Sequence, residues 1–186
     1  MNESEETALI RRCQAGDKEA FRTLVEQYRN VLFGTAYLMM RDHGLAEDAV
    51  QEALIQIWKH LPSFRLKSSL KTWMVRIVVN EVKQQFRKKQ VPTVPLEQAS
   101  QVTDDLDKAE IAMIRNEERQ HLKQALEQLP AEQKEAVVLH YFSELTVPEI
   151  ATVTGQREGT IKSRLSRALS HLGEILQNDR TWEEGK

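Results

Sequence analysis

Residues 146–172, TVPEIATVTGQREGTIKSRLSRALSHL, decide the fold class, because they read as two short helices around a tight turn. Thr146 is a good N-cap, Pro148 falls in the first turn, and Glu149 stands three residues after the threonine, the spacing of a capping box. Gly155 supplies the stop. Ala151 is small enough for a close helix crossing, Ile150 and Val153 are assigned inward, and Ile161, Leu165 and Leu169 recur at i, i+4 and i+8 to anchor the second helix. That leaves Lys162, Ser163, Ser166 and Arg167 outward. A basic, hydroxyl-rich helix after a short turn is the pattern of a helix-turn-helix that reads DNA, although a solvated surface helix presents a similar face.

Working outward, a chain of 186 residues with 40% hydrophobic content and 7 glycines suits one helical domain or two small ones. The single Cys13 excludes an internal disulfide framework and a Cys-based zinc site within one chain, and the five histidines lack metal-ligand spacing. No metal or other cofactor is expected. Cys13 follows Leu9 and Ile10 on an apolar stripe and reads as a small core residue. No apolar run approaches the length of a membrane span, and the start MNESEE resembles neither a secretory nor a mitochondrial leader, so a cytoplasmic protein without direct membrane insertion is expected.

The net charge of −2 conceals segregation: residues 58–90 carry nine basic side chains and one acidic, whereas residues 91–157 carry six and twelve. Residues 1–57 are also acidic on balance. Positive surfaces separated by acidic scaffold are the electrostatic footprint of phosphate binding.

Helical stripes fill the first half. Phe21, Leu24, Val25, Tyr28, Leu32, Ala36 and Met39 form one, after Gly16 and Asp17 supply a stop and a cap. Asp42 to Gly44 breaks it. Ala49, Val50, Ala53, Leu54, Ile57, Trp58 and Leu61 form the next, ending at Pro62, and Ser68 or Ser69 caps a helix running to about Lys89. Residues 90–108 contain two prolines, polar spacers and no periodicity, and read as a flexible linker. Ile111, Ile114, Leu122, Leu126 and Leu129 restart a helix; Pro130 opens another, lined by Val137, Val138, Tyr141 and Phe142. The expected fold is all-α, with two helical domains, 1–89 and 109–186, the second containing the helix-turn-helix.

Two further constellations stand out. Trp73, Arg76, Asn80, Lys83 and Arg87 share a helix face, and the preceding loop offers Phe64, Arg65 and Lys67. A base removed from a duplex needs a ring to stack on, hydrogen bonds at its edge and cations for neighbouring phosphates, and these residues supply all three. Charges on a solvated face around a core tryptophan would read similarly. On the helix from Ala46, the polar face of Glu47, Asp48, Gln51, Glu52, Gln56 and Lys59 includes Ile55, an arrangement suited to a basic partner helix.

Taken together, DHGLAEDAVQEALIQIWKHLPSF, SSLKTWMVRIVVNEVKQQFRKK, LEQLPAEQKEAVVLHYFSELTVPEIA and GTIKSRLSRAL resemble the extracytoplasmic-function (ECF) group of bacterial RNA polymerase sigma factors, over roughly residues 15–172. The resemblance implies that Asp48, Gln51, Glu52 and Ile55 dock on the clamp helices of core RNA polymerase. It implies that Phe64, Arg65, Lys67, Trp73, Arg76, Asn80, Lys83 and Arg87 open the minus-ten element of promoter DNA and capture a flipped base. Thr160, Lys162, Ser163, Ser166 and Arg167 would read the minus-thirty-five element, and the linker would thread through the polymerase. Gln84 stands where the family usually has Asp, and Leu70 where it usually has Phe. The tail after Leu172 leaves no room for a fused sensory domain, which implies regulation by a separate anti-sigma factor, often membrane-anchored.

Two other classes compete with this reading. A stand-alone helix-turn-helix regulator leaves the Trp73 to Arg87 stripe unused. An enzyme built on Asp42, His43, Glu47 and Asp48 uses residues that a helix start favours through its dipole alone.

Overall fold

The computed structural model describes residues 3–66, 68–89 and 121–183, and every regular element among them is helical. In the first unit, α1 (Glu3–Gln14), α2 (Lys18–Met40), α3 (His43–His60) and α4 (Leu70–Lys89) pack together, with a 3-10 turn, Leu61–Ser63, after α3. The second unit comprises α5 (helical residues 121–128), α6 (Ala131–Val137, continued by a π turn over Val138–Phe142), α7 (Val147–Thr154) and α8 (Glu158–Glu183).

The helix starts are set by local chemistry. Asp17 accepts the Ala20 amide at 3.0 Å to begin α2 and binds Arg12 of α1 at 2.7 Å, so one carboxylate caps a helix and ties it to its neighbour. Asp42 accepts the Leu45 amide at 3.0 Å to begin α3, and the Ser69 hydroxyl accepts the Thr72 amide at 3.1 Å at the start of α4. The chain turns between α2 and α3 through Arg41, in the left-handed region at φ 57°.

Leu24, Leu32, Ala36, Ala49, Ala53, Ile57, Met74, Val75 and Val78 form the first core, with Ile10 and Cys13 of α1 sealed against it. Cys13 is the core residue its stripe indicates, and burial pushes its thiol pKa up. The second core joins Ala125, Leu126 and Leu129 to Val137, Leu139, Leu145, Ile150, Val153, Ile161, Leu165, Ala168 and Leu172.

Three stripe assignments are corrected here. Leu169 is 47% exposed, because a residue eight positions after Ile161 has rotated about 80° away from it at 3.6 residues per turn. Ala168 and Leu172, seven and eleven positions on, return to the buried face. Tyr141 and Phe142 are exposed, with Leu139 and Leu145 filling the core instead, because the π turn shifts the helical register. Leu122 is likewise exposed, whereas Ala125 is buried. Ile111, Ile114 and the linker over 90–108 lie outside the described residues.

The two units touch. α7 lies against α4, and the π turn after α6 lies against α2. Thr35 and Ser143 share a buried hydrogen bond of 2.9 Å between hydroxyls 108 residues apart. The Phe142 ring covers Gly34, where a Cβ atom would overlap the ring carbon Cζ, so glycine permits this close approach.

Candidate nucleic-acid and polymerase interfaces

The helix-turn-helix is built as its sequence specifies. The Thr146 amide donates to the Glu149 carboxylate at 2.9 Å and its hydroxyl at 2.8 Å, completing the carboxylate side of the capping box. Gly155, at φ 69°, closes α7 by donating its amide to the Ala151 carbonyl. Residues 155–157 connect to α8, where Ile161 and Leu165 pack beneath and Lys162, Ser163, Ser166 and Arg167 are all exposed. Thr160 is half-buried at the first turn.

Arg164, on the flank between these groups, is largely covered and reaches Glu132 of α6 at 2.7 Å. It braces α8 against α6, a role the spacing did not reveal because its partner lies in another helix. Thr160, Ser163, Arg164 and Arg167 line one wall of an open hollow that Pro130 and Gln133 close from α6. Backbone, hydroxyl and guanidinium groups at a helix start facing solvent can meet phosphates and base edges together.

Burial pushes the Glu149 carboxyl up, but hydrogen bonds from Thr72 and Thr146 and the nearby Lys71 charge outweigh it, and the net pKa lies below the ordinary glutamate value. A depressed carboxyl contributes stability that is complete above its unfolded pKa, about 4.3 for glutamate, and lost as pH falls through the folded value. Thermal melts of Glu149→Gln should therefore lose less midpoint temperature between pH 6 and pH 3 than the unaltered chain.

Arg76, Asn80 and Arg87 project from α4 into solvent, and Lys83 on the same face is half-buried. Lys83 Nζ lies 2.7 Å from Glu135 of α6, so one cation of the stripe already has a partner. Arg65 and Leu66 are exposed in the preceding loop, Leu66 at φ 53°; Lys67 lies outside the described residues. Phe64 points inward at 9% exposure, its ring centroid 4.9 Å from that of Trp73. The Gln14 amide holds this loop from α1, donating to the Leu61 carbonyl at 3.1 Å and the Phe64 carbonyl at 3.0 Å. In this arrangement the Phe64 ring packs on Trp73 and is not an open stacking surface.

On α3, Ile55 is 46% exposed and Asp48, Gln51 and Glu52 are exposed around it. Asp48, Gln51 and Glu52 line an open groove with Leu45 of α3 and with Gln85 and Lys88 of α4. The acids at the start of α3 have local roles: Asp42 caps the helix, and His43 Nδ1 stands 3.6 Å from Glu47 one turn on. Among the described residues no three His, Cys, Asp or Glu side chains converge as metal ligands, and no helix is long and apolar enough to cross a membrane.

The chain matches Sigma-70 region 2 over residues 24–91 and Sigma-70 region 4 over residues 119–172. It is 32% identical to the RNA polymerase sigma-H factor of Pseudomonas aeruginosa over 186 aligned residues, covering 95% of this chain and 96% of that protein. It is 33% identical to the ECF RNA polymerase sigma factor SigM of Mycobacterium tuberculosis over 176 residues, 94% of this chain and 86% of the relative. Among solved structures it is similar to the sigma factor RpoE of Bartonella quintana, crystallised with the anti-sigma factor NepR. The TM-score is 0.68 and the identity 31%, over 84% of this chain and 96% of that one.

The chain therefore belongs to the sigma-70 family, in its ECF group. It is an alternative sigma factor, acting in promoter recognition and transcription initiation. The family consists of transcription initiation factors rather than catalysts.

Proposed function

We propose that the chain divides promoter recognition between α4 and α8 and docks on core RNA polymerase through α3, with domains over residues 1–89 and 109–186 and a linker over 90–108. The observation that carries this reading is the placement of two exposed cationic helix faces, Arg76–Asn80–Arg87 and Lys162–Arg167, on separate helical units. The α8 face reads the minus-thirty-five element in the major groove, where arginine and lysine pair with guanine edges. The α4 face, with Trp73 and the loop from Phe64 to Lys67, holds the separated strand of the minus-ten element. The free energy of stacking and phosphate contacts offsets the cost of unpairing bases. The chain itself performs no catalysis; the polymerase makes the RNA.

The exposed Ile55 amid Asp48, Gln51 and Glu52 is suited to a basic, partly apolar helix of the polymerase. Ile55→Ala should weaken core binding about tenfold, the equivalent of about 1.4 kcal/mol, in a fluorescence titration with purified core enzyme. An unchanged affinity would remove Ile55 from the contact. An anti-sigma factor is the expected regulator, supported by the RpoE–NepR complex. The protein works on the nucleoid with polymerase and is held in reserve, in the cytoplasm or at the membrane, by that partner.

A further inference from the structure

Anchors from two different helices meet on the loop between α3 and α4. The Gln14 amide of α1 donates one hydrogen bond to the Leu61 carbonyl at 3.1 Å and another to the Phe64 carbonyl at 3.0 Å. A primary amide carries two N–H donors, so both go to this loop. The Leu61 carbonyl also accepts the Phe64 amide at 3.1 Å, which closes the 3-10 turn over Leu61–Ser63. From the other side the Trp73 ring of α4 packs on the Phe64 ring. The side chain of Phe64 is therefore set by α4 and its carbonyl by α1.

Gln14 is itself presented from a fixed place. The Gly16 amide donates to the Cys13 carbonyl at 2.9 Å and the Asp17 amide to the Arg12 carbonyl at 3.1 Å, the paired bonds of a Schellman cap, with Gly16 in the left-handed region at φ 89°. Cys13 is buried in the core, and Arg12 is tied to Asp17 at 2.7 Å. The half-buried Gln14 side chain thus leaves a helix end that is locked in position.

The Phe64 carbonyl belongs to the peptide that joins Phe64 to Arg65. Holding it fixes the plane of that peptide, and with it the direction in which Arg65 and Leu66 leave the surface. Both are exposed, and Leu66 takes φ 53°, a left-handed conformation that a non-glycine residue keeps only where its surroundings impose it. Leu66 is 55% exposed, so burial of its side chain does not impose it. The constraint comes from the anchored backbone leading into it.

We infer that Gln14 is a positioning residue for minus-ten recognition, an inference that rests on reading this loop as part of the minus-ten face. Gln14 touches no DNA; by gripping the Leu61 and Phe64 carbonyls it aims Arg65 and Leu66 at the separated strand and sharpens the choice of bases there. A loop free to swing accommodates wrong bases as well as right ones, because discrimination requires contacting groups held at one place relative to the base. Water can replace Gln14 at the two carbonyls, so its loss costs the fold little and the alignment much.

The test measures run-off transcription by purified core bacterial polymerase with variants of the intact chain. The templates are a promoter selected from a pool by the unaltered chain and versions with single-base changes in its minus-ten or its minus-thirty-five element. The readout is the yield from the selected promoter divided by that from each changed one, a ratio in which an unfolded or inactive fraction cancels. Gln14→Glu keeps the shape but turns acceptors toward the carbonyl oxygens, and Gln14→Met keeps the length without a donor. Both should lower the minus-ten ratio about fivefold, the worth of one hydrogen bond, and leave the minus-thirty-five ratio unchanged. Gln14→Lys, which restores a donor, should recover most of the minus-ten ratio.

Minus-ten ratios that stay at the unaltered value in Gln14→Glu and Gln14→Met, or that fall only in step with the minus-thirty-five ratios, would overturn the positioning role. Arg65→Ala/Leu66→Ala separates the two possible failures. If it too leaves the minus-ten ratio unchanged, the loop is no part of the minus-ten face and both readings fall. If it lowers the ratio while the Gln14 variants do not, only the role of Gln14 falls.

Discussion

Lys162→Ala/Arg167→Ala is expected to reduce run-off transcription from promoters carrying a minus-thirty-five element by about a hundredfold, because each lost guanine-edge or phosphate contact costs about 1–3 kcal/mol. Both side chains are exposed on α8 and contribute little to the core under it, which is formed by Ile161, Leu165 and Ala168. The melting temperature should therefore stay within a few degrees of the unaltered protein. Promoter binding by the reconstituted holoenzyme should also show a shallower salt dependence, because fewer counterions are released. Arg164→Ala should behave differently: with Glu132 left alone, α8 loses its brace on α6, and stability falls along with activity.

A comparable loss, also about a hundredfold, is expected for Arg76→Ala/Asn80→Ala on duplex promoters, since both groups project from α4 where an opened strand would lie. The discriminating comparison is a template carrying a preformed bubble at the minus-ten element. If these residues help separate the strands, supplying the bubble restores most of the activity, because the unstacking cost of a few kcal/mol has been removed. A defect equal on duplex and bubble templates would assign them to holding DNA rather than opening it. The variant should bind core polymerase normally, since Ile55 and its neighbours lie on α3.

The parts of this molecule written in local chemistry were legible in the sequence. The capping box at Thr146, the glycine stop at 155, the cap at Asp17, the break at Asp42 to Gly44, and the exposed set Lys162, Ser163, Ser166 and Arg167 depend on neighbours within a turn or two, and the structure keeps them. The errors arise where position depends on distant chain. An i+4 step extended twice from Ile161 puts Leu169 inward, which a helix of 3.6 residues per turn does not sustain. Regular helical spacing puts Tyr141 and Phe142 inward, because nothing in VLHYF announces a π turn.

The sequence presents Phe64 as a ring beside cations, but its burial is determined by Trp73 and by Gln14, which grips the loop carbonyls from 47 and 50 residues away. The charge segregation by itself indicates a footprint for phosphate. In the folded chain, Lys71 and Lys83 of the basic segment bind carboxylates of the acidic one, so part of the pattern is internal complementarity. A sequence shows the sign of each segment and not which segment folds against it.

Whether two cationic helix faces on separate units jointly direct promoter-specific initiation is decided by run-off transcription with purified core bacterial polymerase on a pooled promoter library. The measurement compares reactions without the protein, with it, and with Ile55→Ala or Asn80→Ala in its place. Specific transcripts are expected to appear only with the unaltered chain and to fall sharply with either variant, their templates sharing two sequence elements. An absence of specific transcripts, with folded protein and an active core, would contradict it.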